Sequence, residues 1–247
     1  MMSDMSSPLD MERVRQACRS CSVSQLCLPA GLEASELDRL ESALEKKMTL
    51  HRGESLYTVG DPLESLFAVR SGCMKTSVLG SDGVEQIIGF ALPGELLGLD
   101  ALSVERHQCT AVALDTTAIC VLPFARIEDL AAELPSLNRQ LLRIMGSEIS
   151  REQDLLSLLA NKRASERLAS FLDNLSKRFS DRGYSGRDFR LYMSRQEMAN
   201  YLGMTIETVS RTLSAWQREG LIHIESKALS ILDPEGLRAI AGNCVAG

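Results

Sequence analysis

Residues 194–220 read SRQEMANYLGMTIETVSRTLSAWQREG and have the pattern of two helices joined by a tight turn. Ser194 and Glu197 stand at the spacing of a capping box, which predicts that a helix begins there. Gly203 supplies the turn, and Thr205 can cap a second helix that ends at Gly220, the last residue of the stretch. We therefore predict a helix-turn-helix, the arrangement that many DNA-binding proteins use.

The two faces of this motif differ in composition. Small Ala199 permits a close crossing of the helices, and apolar residues are placed to fill their shared core, namely Met198, Leu202, Met204, Val209 and Leu213. On the opposite face of the second helix, polar residues recur at i, i+3, i+4 and i+7, namely Glu207, Ser210, Arg211 and Ser214. We expect Glu207, Ser210 and Arg211 to contact bases in the major groove. The alternative is an ordinary solvated helix face.

Charge is distributed unevenly along the chain. The formal net charge is −6, but residues 161–247 carry 13 Lys and Arg against 10 Asp and Glu, whereas residues 1–160 carry 14 against 23. The basic part thus coincides with the helix-turn-helix and favours a nucleic-acid partner. Residues 221–232, LIHIESKALSIL, alternate as a β-hairpin does, which predicts a wing beside the motif.

A long amphipathic helix is predicted over residues 135–161. Its apolar positions alternate steps of three and four, as in a coiled coil, and one of them is an acid: Leu142, Met145, Ile149, Glu152, Leu156 and Leu159. We expect this seam to form a homodimer. The alternative is that the helix only packs on its own domain, with Glu152 at the edge of the contact.

Residues 48–134 have the sequence pattern of an all-β domain. Short apolar runs are separated by Gly, Pro and Asp turns at spacings of about ten residues, which predicts a roll of about eight antiparallel strands. Neither a G-x-S-x-G elbow nor a phosphate-binding loop is present, and the three histidines are far apart in sequence. We therefore expect a regulator and not an enzyme.

Three cysteines form a C-x2-C-x5-C array near the N-terminus, Cys18, Cys21 and Cys27. Thiolates on one short loop can converge on a metal ion or an iron-sulfur cluster. A fourth ligand must come from elsewhere, and the pattern leaves Cys109 and Cys120 open as candidates. An isolated cysteine is otherwise a small buried hydrophobe.

Length and composition set the frame for these motifs. A chain of 247 residues with 45% hydrophobic content is predicted to form two domains. No apolar run is long enough to span a membrane and the first residues do not form a signal peptide, so we expect a cytoplasmic protein with no membrane contact. Seven cysteines, an odd number, favour ligands and buried thiols over disulfides.

The fold class predicted from these patterns is α+β, with a β-roll, a long dimerisation helix and a winged helix-turn-helix; the family resemblance given next implies that the roll is a sensor domain like those that bind cyclic nucleotides. We place the cysteine-rich segment at residues 1–47, the roll at 48–134, the dimerisation helix at 135–161 and the DNA-binding domain at 162–247.

The stretch IETVSR at residues 206–211, the cysteine array and the intervening roll together resemble the FNR family of oxygen-sensing transcription regulators. The resemblance covers essentially the whole chain. It implies a 4Fe-4S cluster held by four cysteines, a dimer while the cluster is intact, and loss of DNA binding when oxygen degrades it. It also implies an inverted-repeat target like TTGAT-N4-ATCAA and contacts with RNA polymerase through roll loops, for which we single out Ser81-Asp82-Gly83.

The same resemblance assigns further residues. In the family, the mid-chain cysteine lies in an apolar strand ending in Pro-Phe, which matches residues 119–124, ICVLPF, so Cys120 is the implied fourth ligand. Cys73 and Cys244 are then expected to be non-ligands. The family also supports an acid at the seam position of Glu152, where two carboxylates across a dimer would oppose association until the cluster is bound.

Two other functions remain to be compared. A cAMP-responsive activator would share the roll, but its phosphate site resembles a Gly-Glu turn followed by an Arg-Ser pair; here Gly94-Glu95 is present, whereas Arg106 is followed by His107. We therefore expect no cyclic nucleotide. The cysteine triad could instead serve a zinc-stabilised interaction module or an electron carrier, although an electron carrier has no use for a helix-turn-helix.

Overall fold

The structure is a computed structural model that describes Cys18, residues 21–44 and residues 47–242. The chain divides into two compact units. Within the described residues, the first unit extends to residue 74 and resumes over 91–146, and the second comprises 75–90 together with the chain from 147 onward. Cys244 lies outside the described residues.

The β-roll contains the predicted number of strands. The eight strands are β1 (Lys47–Leu50), β2 (Ser55–Tyr57), β3 (Ser65–Ser71), β4 (Met74–Leu79), β5 (Glu85–Ala91), β6 (Leu96–Leu97), β7 (Thr110–Ala113) and β8 (Thr117–Pro123). They form two four-stranded sheets with the orders β1-β8-β3-β6 and β2-β7-β4-β5. Strand pairs of the first sheet are antiparallel, as the turn spacing predicts.

In the described chain, one α-helix precedes the first strand of the roll, and two helices follow its last strand. Helix α1 (Ala34–Ala43) begins with a capping box between Glu33 and Glu36. Helix α2 (Phe124–Glu133) follows β8 directly, and α3 (Pro135–Asn161) follows α2 after one residue. Their inner faces share one buried core with the roll: Leu28, Leu40, Leu66, Ala68, Leu96, Leu122, Ile127, Leu134 and Leu137.

Helix α3 has the bounds predicted for the dimerisation helix. Proline at its first position fits, because the first N–H of a helix has no intrahelical partner. Along its 27 residues, only Leu137 and Gln140 are fully buried. Gly146 lies at the middle of the helix, and a Cβ added there would meet no atom within 4 Å.

The second unit carries the helix-turn-helix. Its elements are α4 (Ala164–Asp181), β9 (Asp188–Arg190), α5 (Arg195–Tyr201), α6 (Ile206–Arg218), β10 (Ile222–Glu225), β11 (Ala228–Ile231) and α7 (Pro234–Ile240). Strands β10 and β11 pair as the predicted hairpin. A third strand, β9, pairs with β11 and was not predicted, because its three residues are too few to show alternation.

The β4–β5 hairpin belongs to the second unit from residue 75 onward. Asn200 on α5 binds it through both ends of its side-chain amide. Its Nδ2 donates to the carbonyl oxygen of Glu85 at 2.7 Å, and its Oδ1 accepts from the backbone N–H of Ile87 at 2.6 Å. Phe90 packs with its ring centroid 5.0 Å from that of Tyr201.

None of the helices in the described residues combines the length and apolar character needed to cross a membrane.

Candidate functional site

One cavity is lined by the three cysteines of the N-terminal array together with Cys120. The other walls are mainly apolar, and Arg70 is the charged residue that lines the cavity: Val23, Ser24, Leu28, Pro29, Leu40, Leu44, Ala68, Val69, Arg70 and Leu122. The structure therefore brings together the four cysteines that the family resemblance implies as ligands.

Successive turns fold the cysteine loop. The backbone N–H of Cys21 donates to the carbonyl of Cys18 at 3.1 Å, and a short 3-10 helix over Ser24–Leu26 follows. Buried Val23 and Leu28 anchor the loop from within. Val23 lies two residues after Cys21 and Leu28 directly after Cys27, so buried side chains hold the backbone close to both cysteines.

Cys120 reaches the cavity from the centre of the first sheet. In β8 it lies opposite Lys47 of β1 and Ala68 of β3. Because strand pairing fixes which residues are neighbours across a sheet, this register sets the position of the fourth thiol.

Burial and the neighbouring thiols oppose ionisation of Cys18, Cys27 and Cys120. Burial raises the pKa of Cys18 to about 12, with Glu41 and the other thiols adding to the effect. Burial also raises the pKa of Cys27 to about 12, and it raises the pKa of Cys120 against the opposing charge of Arg70. A cationic metal group would offset this penalty, because it binds thiolates and displaces their protons.

The donor set fits an iron-sulfur cluster. Four thiols share an apolar cavity with a free volume of about 30 Å³, room for about two water molecules. In the part of the chain that the structure describes, no three His, Cys, Asp or Glu side chains are arranged as ligands of one metal ion. A cluster with four irons binds each thiolate at a separate corner, so its ligands need not converge on one point.

The other described cysteines lie away from this cavity. Cys73 is buried, and its Sγ is 3.6 Å from the carbonyl oxygen of Met74. Cys109 is buried beside Asp100, with 3.4 Å between its Sγ and Oδ2, and its Sγ lies 4.0 Å from the hydroxyl of Tyr57. Of the two candidates that spacing left open, the structure places Cys120 and not Cys109 at the loop.

Two buried polar residues near the cavity were not found by sequence reasoning. Glu41 on α1 is 2% exposed and accepts from the backbone N–H of Cys18 at 2.9 Å. Gln140 on α3 is 8% exposed and contacts the same loop. A polar residue at a core-facing position of a helix is the signal that could have identified both.

The seam of α3 presents a row of exposed apolar side chains. Leu142, Ile149 and Leu156, spaced seven residues apart, are 61%, 55% and 67% exposed. Met145 and Leu159 are half-buried, and Glu152 is exposed. Large apolar groups repeated at this spacing form the contact stripe of a coiled coil.

The helix-turn-helix has the predicted local contacts. The hydroxyl of Ser194 accepts from the N–H of Glu197 at 3.2 Å, and the Glu197 carboxylate accepts from the N–H of Ser194 at 2.7 Å. Gly203 has a φ of +60°, and Thr205 caps α6 by accepting from Thr208. Helix α6 ends at Arg218, two residues before the predicted Gly220.

The predicted core and surface of the motif are largely as expected. Met198, Leu202, Val209 and Leu213 are buried, whereas Met204 is half-buried. Trp216 is also buried and was not predicted. On the outer face of α6, Glu207, Arg211 and Ser214 are exposed and Ser210 is half-buried. Three of the four side chains on the face that the sequence predicts to contact DNA are therefore exposed.

Arg106 and the Gly94-Glu95 turn, which the sequence comparison set beside a cyclic-nucleotide phosphate site, both make contacts within the first unit. Arg106 donates from Nη1 to the carbonyl oxygen of Gly60 at 2.7 Å. A Cβ added at Gly94 would lie 3.1 Å from the Cβ of Leu26. The cysteine loop therefore packs against the Gly94-Glu95 turn.

Comparison with known proteins gives matches over both units. Residues 47–133 match the cyclic nucleotide-binding domain, and residues 166–240 match the Crp-like helix-turn-helix domain. The chain is 47% identical to the transcriptional activator protein Anr of Pseudomonas protegens over 98% of this chain and 100% of Anr. It is 43% identical to the fumarate and nitrate reduction regulatory protein of Escherichia coli, over 92% of this chain and 90% of that protein.

A solved structure shares the architecture. FixK2 from Bradyrhizobium japonicum is 28% identical, with a TM-score of 0.73 over 82% of this chain and 98% of FixK2.

Proposed function

Because the chain belongs to the FNR family within the CRP/FNR superfamily of transcription regulators, we propose that it controls transcription in response to oxygen through a 4Fe-4S cluster. The observation that carries this proposal is the shared cavity of Cys18, Cys21, Cys27 and Cys120. When bound, the cluster would supply an oxygen-labile group. The chain's own contribution is four thiols, an apolar enclosure and Arg70 beside them.

The proposed output is binding to duplex DNA. Arg211 has the donor geometry to bind O6 and N7 of guanine, Glu207 can accept from cytosine, and Ser210 can contact a neighbouring base. Their place on the outer face of α6 supports these roles. We propose a target like TTGAT-N4-ATCAA, with the two copies of α6 about 34 Å apart in a dimer.

The proposed link between cluster and DNA is dimerisation along α3. The exposed heptad stripe of Leu142, Ile149 and Leu156 supports pairing with a second copy, with Met145 and Leu159 at its half-buried positions. In a parallel pair the two Glu152 carboxylates would lie close together and oppose association. The cluster would shift this balance toward the dimer.

We also propose a contact with RNA polymerase through the β4–β5 turn, in the cytoplasm where transcription takes place. Ser81, Asp82 and Gly83 are exposed there. Leu79 and Val84 flank them and are also strongly exposed. Exposed apolar groups around a polar turn are typical of protein interaction surfaces.

Anoxic purification tests the proposed function. The expected product is brown and contains four irons and four sulfides per chain, and it binds the palindrome as a dimer. Exposure to air should bleach it, and DNA binding should fall with the same time course. A colourless protein with one zinc per chain would instead support a zinc-stabilised interaction module. Binding that required cAMP would support a cyclic-nucleotide-responsive activator.

A further inference from the structure

A buried amide joins the cysteine loop to the dimerisation helix. Gln140, in the second turn of α3, donates from Nε2 to the carbonyl oxygen of Cys27 at 3.1 Å. Glutamine is rarely this deeply buried, and a buried amide needs hydrogen-bond partners. A hydrogen bond within the protein, and not contact with water, therefore holds the Gln140 side chain in place.

The carbonyl of Cys27 is held from two sides. The backbone N–H of Ala30, within the loop, donates to it at 3.0 Å, and Gln140 donates from the helix. A carbonyl oxygen can accept both bonds, because it has two lone pairs. Any displacement of Cys27 must break the bond to Gln140 or move Gln140 with it.

Apolar packing surrounds this bond. Leu28, next to Cys27, and Leu137, one helical turn before Gln140, lie in the same buried core. The bond is thus flanked in sequence by a core residue on the loop and by a core residue on the helix. Loss of its hydrogen bond would leave a buried polar group without that partner, which is more unfavourable than loss of an exposed bond.

Helix α1 makes two further side-chain contacts, one with the start of α3 and one with the end of α2. The hydroxyl of Ser136 donates to Oε1 of Glu36 at 2.6 Å, and Arg39 forms an ion pair with Glu133. Both members of the ion pair are largely exposed, so it contributes little. Glu41 of α1 also binds a cavity cysteine, through the N–H of Cys18, whereas the bond from Gln140 joins Cys27 directly to α3.

A movement of Gln140 would also move the seam, because both are on the same helix. Leu142 follows Gln140 by two residues and Met145 by five, so all three move together on a rigid helix that rises about 1.5 Å per residue. A group bound to the thiol of Cys27 would act on the same residue whose carbonyl oxygen accepts from Gln140.

We propose that Gln140 is a positioning residue that couples the cysteine loop to the seam of α3, so that the state of the four-cysteine site sets how well two copies pair. This inference rests on the proposed function of that site. The coupled quantity is the ratio of the dimer dissociation constants measured without and with the cluster.

The test replaces the amide while keeping its size. Gln140→Met cannot donate, and Gln153→Met on the exposed face of α3 is the matched control. Iron and sulfide content, the melting temperature and the dimer dissociation constant by sedimentation are measured for each protein, anoxically and after removal of the cluster. We expect Gln140→Met to keep parent-like iron and sulfide while the coupling ratio falls about tenfold, within the range of typical coupling energies. The control should keep the parent ratio.

Other outcomes separate the two proposals. An unchanged ratio in an iron-loaded Gln140→Met would overturn the coupling role. Loss of iron in both Gln140→Met and Gln140→Glu, with Gln153→Met fully loaded, would also overturn it and assign Gln140 to holding the site together. If the parent protein binds no iron or associates equally in both states, the proposed function itself fails.

Discussion

Arg167 donates a hydrogen bond from Nη2 to the carbonyl oxygen of Leu159 at 2.8 Å. The same guanidinium donates from Nε to the carbonyl of Lys162 at 2.9 Å and from Nη1 to that of Leu202 at 3.1 Å. Leu159 is the last seam residue of α3, and Leu202 caps the end of α5. One side chain therefore connects the end of the seam to the turn of the helix-turn-helix.

Replacement of Arg167 should loosen this connection. Arg167→Met removes charged donors from four carbonyl groups, including that of Gly203, so we expect a loss of about 1.5–3 kcal/mol in the free energy of unfolding. Urea denaturation measures this, and the affinity for the palindrome should fall with it. Arg187→Met, at an exposed position, is the control. Equal denaturation midpoints for the two variants would show that the Arg167 contacts contribute no stability.

Serine substitutions test the assignment of the four ligands. Cys18→Ser, Cys21→Ser, Cys27→Ser and Cys120→Ser should each abolish the cluster, because each removes a thiolate from the shared cavity. Iron and sulfide assays after anoxic purification are the measurement. Cys73→Ser and Cys109→Ser should retain both elements. If Cys120→Ser kept its iron and sulfide while Cys109→Ser lost them, the assignment of Cys120 as the fourth ligand would be wrong.

Arg211 is expected to contribute to recognition of the base sequence of the DNA. Arg211→Ala should weaken binding to the palindrome by about 1–3 kcal/mol and relax the preference at one base pair, because a bidentate contact to guanine is lost. Mobility shifts on sites substituted at each position measure this. Arg218→Ala, in the last turn of the same helix, should leave base preference unchanged. A loss of equal size on random DNA would identify Arg211 as a phosphate contact.

Glu152 is expected to restrain dimerisation. Glu152→Ala removes like charges from the seam, a repulsion of about 1–3 kcal/mol, so the variant should dimerise and bind DNA in air without a cluster. Analytical ultracentrifugation in air is the measurement. Asp154→Ala, on the same helix but outside the seam, should behave as the parent. If Glu152→Ala stayed monomeric, the control of dimerisation would have to reside elsewhere, most directly in the contact between the cysteine loop and α3.

Sequence patterns predicted the elements whose signals are local. The capping box at Ser194, the turn at Gly203 and the cap at Thr205 depend on residues within a few positions, and all three are confirmed. The bounds of α3 were also predictable, because Pro135 begins a stretch of 27 residues with a helical pattern. These features need no knowledge of distant contacts.

Contacts between distant residues were harder to predict. Spacing did not distinguish Cys120 from Cys109, because the register of β8 against β1 and β3 determines which thiol reaches the loop. The family resemblance was needed for that choice. Gln140 and Arg167 were missed for a related reason: each binds backbone carbonyls, which leave no trace in the side-chain pattern of their partners.

The glycine at the middle of α3 has a consequence for the stability of the helix before and after pairing. A glycine in a helix interior is about 1 kcal/mol less favourable than alanine, and the space around Gly146 would accept a methyl group. Gly146 therefore lowers the intrinsic stability of the helix between Gln140 and Glu152. Pairing along the stripe of Leu142, Ile149 and Leu156 would offset that cost, so the dimer would stabilise the helix as well as bring two copies together.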